Sequence, residues 1–227
     1  MREVRFHIHR KSAFAGALLP YRMYINGQYI GTIRNGKSLD ANVPKAGVYY
    51  IEDDILFSRN AVIYDNGLSE YSVVIKRAGG WRTESYNEFY MEKGNVLEQL
   101  PSFHWEKLFE LQQSMSQSER LLALSVEFWT SAMDDLQEVL ASEHLFEIIA
   151  ALQTIGAHKY HDSLLKIMND DFGDVRFPLD DNQIEQMQPK IEDANRAFWK
   201  NKGAEAEFRG AVTNFLITNP ECFWPRF

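Results

Sequence analysis

Six carboxylates fall within one short stretch of the chain: Asp170, Asp171, Asp174, Asp180, Asp181 and Glu185. Acid at this density has two chemical uses. It can hold a hard cation, or it can stand where phosphates would and attract a basic protein. The cation reading needs oxygen ligands in a set order. The run Asp170-Asp171-Phe172-Gly173-Asp174 lacks the EF-hand order and its closing bidentate glutamate. Electrostatic attraction has no such requirement: complementary charge steers encounter and makes binding salt-dependent. Asp180 and Asp181 also suit a helix N-cap and first turn for purely local reasons. Glu138, Glu143 and Glu147 form a thinner second group.

Catalytic chemistry has less to build on. His158 and His161 are three apart, with Asp162 adjacent, which is a His-carboxylate arrangement of the general-base kind. No nucleophile stands in a recognisable context: there is no G-x-S-x-G, and the single cysteine, Cys222, lies in the terminal segment near Pro220. Phosphate-binding glycine loops and CxxC or HExxH zinc motifs are missing from the sequence. His7 and His9, two apart on an expected strand, point to one face, a spacing that zinc can use. Arg5, Arg10 and Lys11 flank them and oppose a cation, so the expectation is a polar strand face without metal. Trp81, beside Gly79-Gly80, reads as a turn aromatic closing a core, with a partner anchor as the alternative. The chain is therefore expected to be nonenzymatic and to need no cofactor.

The elements that must carry these residues change character near Gly94. Val4, Phe6 and Ile8 alternate with Arg5, His7 and His9, the period-2 pattern of a half-buried strand. Tyr21–Ile25 and Gln28–Ile33 flank Asn26-Gly27, the strongest short hairpin signal, because a type I′ turn needs positive φ at both central residues. Asn35-Gly36 and Asp65-Asn66-Gly67 supply further turns, and Val48–Ile51, Ala61–Tyr64, Tyr71–Lys76 and Ser85–Met91 further strands. This spacing predicts an antiparallel β sandwich or barrel over residues 1–95.

Residues 96–227 read as an all-α helical bundle, so the fold class is α+β. Ser102, Ser118 and Ser142 are expected to open the first three helices, and the second runs to about Leu140. Gly156 is expected to end the third. A fourth covers about 157–168, a loop spans 170–178, and two more cover 181–199 and 204–218 before Asn219-Pro220.

Charge follows the same division. Residues 1–95 hold 13 Lys+Arg against 10 Asp+Glu, whereas residues 96–227 hold 11 against 22. A pI near 5.3 argues against direct nucleic-acid binding, which relies on Lys and Arg meeting phosphates. One cysteine excludes an intramolecular disulfide. The amino terminus alternates rather than presenting a signal-peptide core, and no apolar run reaches a membrane span, so a cytoplasmic protein is expected.

Two segments resemble a known family. Leu152-Gln153-Thr154-Ile155-Gly156-Ala157-His158-Lys159-Tyr160, followed by Leu164–Met168, looks like its A-L-x-x-I-G-A signature. Phe208–Leu216 with Thr218-Asn219-Pro220-Glu221-Cys222-Phe223 is similar to its closing helix and N-P-x-x-F tail. The family is a small bacterial one typified by a DNA-mimic protein of about nineteen kilodaltons, and the resemblance spans roughly residues 100–225. Where that family carries an N-G-G turn, this chain has Leu140–Leu145. The resemblance implies a helical module whose acidic surface captures a basic nucleic-acid-binding protein; Asp170, Asp171, Asp174, Asp180, Asp181 and Glu185, the densest acidic group in the chain, are the candidate partner-binding residues. Inhibition of a toxin by the same surface is the alternative, as is a scaffold whose acid serves only solubility. The β module is available for partner specificity or self-association.

Overall fold

The computed structural model describes residues 3–13, 19–53, 60–78, 86–110 and 114–224. Trp81 and the Gly79-Gly80 turn lie outside the described residues. The chain divides into two compact units, Met1–Lys107 with Leu216–Phe227, and Leu108–Phe215. The β unit thus extends past residue 95 and includes the chain's end. The helical unit carries 19 Asp+Glu against 9 Lys+Arg, and the β unit 13 against 15.

The β unit is built from β1 (Glu3–Arg10), β2 (Tyr21–Ile25), β3 (Gln28–Ile33), β4 (Ser38–Pro44), β5 (Val48–Glu52), β6 (Ala61–Tyr64), β7 (Glu70–Ala78), β8 (Tyr86–Lys93), β9 (Val96–Gln99), β10 (Ser102–Phe103) and β11 (Phe223–Trp224). They form two open sheets, in the orders β4-β1-β7-β8-β9 and β11-β10-β6-β5-β2-β3. Asn26 and Gly27 both take positive φ, 50° and 74°, as the expected hairpin between β2 and β3 requires. All pairings are antiparallel except that of β1 with β7, which is parallel. Alternation in β1 cannot reveal this, because it sets the face of a side chain and not the direction of a neighbour. The inner faces meet on Phe6, Tyr49 and Tyr71, with Phe6 stacked on Tyr71 at 5.3 Å and edge-on to Tyr49 at 5.1 Å.

Arg10, read from sequence as part of the polar flank of β1, points inward and is only 3% exposed. Its guanidinium lies 3.7 Å from the Tyr21 ring centroid and donates to the Leu19 carbonyl at 2.7 Å. An inward arginine is tolerated because those partners replace water. Ser102 likewise does not cap a helix: it pairs in β10, and its hydroxyl lies 2.8 Å from His104 Nε2.

The helices are α1 (Trp105–Glu110), α2 (Gln117–Asp134), α3 (Leu136–Ala141), α4 (Leu145–Ile155), α5 (His158–Lys166), α6 (Asp181–Trp199) and α7 (Ala204–Thr218), with a π-turn over Ile167–Asp171. Ser116, rather than Ser118, opens α2, because Ser116 and Glu119 form a reciprocal capping box. The second expected helix is two helices. Asp135 takes extended φ/ψ of −164° and 144°, and its carboxylate accepts the Gln137 N–H, which ends α2 and starts α3 together. Gly156 ends α4 at φ 92°, in the left-handed region that glycine enters without a Cβ penalty.

The core of the helical unit is aromatic. Phe128 from α2 meets Tyr160 from α5 at 5.2 Å and Phe208 from α7 at 5.5 Å. Tyr160 stacks on Phe198 of α6 at 5.0 Å, and Trp129 stacks on Phe208 at 5.3 Å. Phe128, Tyr160, Phe198 and Phe208 are each no more than 2% exposed. Burial pushes the Tyr160 hydroxyl pKa up, and the Glu205 charge adds to the shift.

Phe128→Ala removes the ring shared by these contacts and is expected to destabilise the helical unit by about 3–5 kcal/mol. Met133→Ala, on an exposed side chain of the same helix, is expected to change stability by less than about 0.5 kcal/mol. Urea unfolding followed by tryptophan fluorescence distinguishes the two; comparable small losses would show that the aromatic cluster does not carry the fold.

Candidate functional site

The acidic stretch begins where α5 passes into the π-turn. There the Phe172 N–H reaches the Ile167 carbonyl at 3.1 Å, a one-residue widening often found at functional sites. Asp170 and Asp171 lie on this turn, and Asp174 follows Gly173; all three are exposed. The connection onward is held from inside. Phe172 and Leu179 are each 4% exposed, Phe172 and Phe177 are 5.9 Å apart, and the Leu179 N–H donates to the Leu140 carbonyl of α3 at 2.9 Å. Buried apolar residues therefore fix a backbone whose charged side chains face water.

Asp180 is the exception among the six. It is the N-cap of α6: its carboxylate accepts the Gln183 N–H at 2.8 Å, and the Gln183 side chain accepts the Asp180 N–H at 2.9 Å. The local reading of Asp180 therefore holds. Asp181 and Glu185 are exposed and one turn apart, and Glu192 falls on the same face two turns further along. At the helical rise, Asp181 to Glu192 makes an acidic column about 16 Å long. Glu192 was not among the sequence candidates, although the i, i+4, i+11 spacing was its signal. The column has cations near it: Arg176 precedes it and Lys190 sits within α6, both exposed. Asp171 also borders a shallow recess of about 270 Å³ with Lys166, Ser163 and Asn201, where the Asn201 amide donates to the Ser163 hydroxyl at 2.8 Å.

The thinner acidic group leads to a network that the sequence did not disclose. Ser142 does not start α4; it follows α3, and its hydroxyl donates to Glu127 Oε1 on α2 at 2.7 Å. His144 Nδ1 lies 3.0 Å from Glu127 Oε2, and Glu143 Oε1 lies 3.9 Å from His144 Nε2. Arg120 of α2 is ion-paired with Glu147 of α4. Arg120, Glu127, Glu143 and His144, with Met115, Ala123 and Leu124, border a cleft of about 360 Å³. Glu127 and His144 are 17 residues apart, and only the tertiary fold joins them.

The histidines considered for chemistry sit differently. His161 Nδ1 bonds the carboxylate of Asp162, its neighbour in sequence, at 2.8 Å, and His158 is exposed on the same helix. Cys222 is fully buried in the β unit. On β1, His7 Nδ1 lies 2.9 Å from Asp40 and His9 Nδ1 lies 3.0 Å from the Ser38 hydroxyl, both across the β1–β4 ladder. The His7 hydrogen bond, then the Arg5 charge, hold the Asp40 carboxyl below its ordinary pKa. Among the described residues, no three His, Cys, Asp or Glu side chains converge as a metal site, and no helix is long and apolar enough to cross a membrane.

A buried polar group in the β unit was also invisible in sequence. Glu52 ends β5 and Asp53 follows it, both fully buried, and the Asn87 amide donates to Asp53 at 2.7 Å. An acidic pair after a strand reads as a solvated turn, so nothing in the pattern marks it as interior. Comparison with protein-family models, with curated proteins and with solved structures finds no match.

Asp180→Ala is expected to cost about 1 kcal/mol through loss of the N-cap. Asp181→Asn is expected to cost at most about 0.5 kcal/mol, the scale of an exposed charge at a helix N-terminus. Chemical denaturation of the two variants checks the order; a larger loss for Asp181→Asn would contradict the division between structural and displayed carboxylates.

Proposed function

We propose that the chain is a nonenzymatic protein-binding module whose acidic helical unit captures a basic nucleic-acid-binding protein in the manner of a DNA mimic. The observation that carries the reading is the exposure of Asp170, Asp171, Asp174, Asp181, Glu185 and Glu192 on a segment pinned by Phe172 and Leu179. A held backbone presents its charges in a repeatable arrangement, so a partner loses little freedom of this surface on docking. The excess of acid in this unit supports long-range attraction of a cationic partner. The likeness of Leu152–Tyr160 and of the closing segment to the DNA-mimic family supports the same class of partner.

Charge attraction between exposed groups weakens as salt shortens the Debye length, about 10 Å at 0.1 M. The test is a pull-down from the native host's lysate at low salt, using the native chain and a variant with Asp170, Asp171, Asp174 and Asp181 changed to Asn. Asp180 is changed to Ser in that variant, which keeps the cap. The native chain is expected to retain a basic nucleic-acid-binding protein that elutes as salt rises, and the variant at least about tenfold less of it. Retention that ignores the five substitutions, or that persists at high salt, would overturn the reading.

A further inference from the structure

The cleft beside the α3–α4 corner carries chemistry that the acidic column does not use. Met115, Ala123 and Leu124 give it an apolar wall, and Glu127, Glu143 and His144 give it polar groups. The Glu127 side chain is 28% exposed, and its two oxygens are oriented by the Ser142 hydroxyl and the His144 ring. An ionised carboxylate has about four acceptor positions, so further donors can still be met there. Glu143 stands on the other side of the imidazole, with its side chain 88% exposed. Arg120, the one cation lining the cleft among the described residues, is engaged by Glu147. The recess thus joins net negative charge, a preset carboxylate and an apolar wall.

That combination fits one side chain best. A methylene stem lies on apolar surface while its charged head meets carboxylates. A guanidinium, unlike an ammonium, is planar, offers five donors in a fork that matches a carboxylate, and stacks on flat rings such as imidazole. Buried arginines are also frequent anchors of protein interfaces. We propose that this cleft is the anchor pocket for an arginine side chain of the basic partner. The proposal rests on the proposed function and adds to it the residue class that the partner must present.

The full chain is titrated with N-acetyl-L-arginine amide and, separately, with its uncharged isostere N-acetyl-L-citrulline amide, while backbone amides are followed by NMR. Saturable shifts around Ala123–Glu127 and Ser142–Leu145 are expected with the arginine compound, and binding at least about tenfold weaker with citrulline. Glu143→Gln, on a side chain 88% exposed, is expected to weaken arginine binding about threefold. Ala123→Leu fills the cleft without changing charge and is expected to abolish the shifts. Equal binding of citrulline, shifts confined to other surfaces, or unchanged affinity in Ala123→Leu would each overturn the pocket.

The same Ala123→Leu chain is run in the pull-down, where about tenfold less partner is expected. If it retains the partner fully while the acid-to-amide variant loses it, the pocket falls and capture by the acidic face stands. If arginine enters the cleft but no basic protein depends on the acidic residues, the pocket stands and the proposed function falls.

Discussion

Phe128 is the residue on which the helical unit closes. Its ring meets Tyr160, Phe208 and Phe198 directly, so α2, α5, α6 and α7 are joined by one aromatic cluster. Each such ring pair contributes about 0.5–1.5 kcal/mol beyond the burial of its surface. The surface depends on this interior contact. The π-turn extends α5 and the acidic column is one face of α6, and both helices are fixed in the cluster by Tyr160 and Phe198.

A unit with twice as many acids as bases repels itself, and like charges on one helix face oppose folding by a few tenths of a kcal/mol per pair. The structure offsets this locally. Asp180 and Glu119 serve in capping boxes, Asp135 caps α3, Glu147 takes Arg120, and Glu127 accepts from Ser142. These acids have internal work. Asp170, Asp171, Asp174, Asp181, Glu185 and Glu192 are displayed to solvent, and Asp180 and Glu147 are exposed as well while holding their partners. Structural and displayed carboxylates therefore lie side by side in sequence, Asp180 beside Asp181 being the closest case.

Much of the frame was legible because local chemistry determined it. Alternation marked β1, Asn26-Gly27 marked the β2–β3 hairpin, Gly156 marked the end of α4, and α6 and α7 fall approximately where the sequence placed them. What escaped depends on distant partners or on side chains with two roles. Asp135 breaks a helix that periodicity runs straight through, because one carboxylate caps the next segment. Ser142 looks like a helix start and is instead bonded to Glu127 on another helix. The tail strand Phe223–Trp224 finds Ser102–Phe103 across more than a hundred residues, and two-residue pairing leaves no periodic trace. Of the candidate site, the acidic loop was readable as composition, but its pinning by Phe172 and Leu179, and the Glu127–His144 cleft, required the fold.

In the proposed function, the acidic surface competes with nucleic acid for a basic protein. The most direct measurement titrates the purified chain into a preformed complex of that protein with a labelled duplex and follows the anisotropy of the label. Release of free duplex is predicted at a constant low salt concentration at which the duplex alone stays bound. A stable ternary complex, or duplex that stays bound at every concentration, would contradict it.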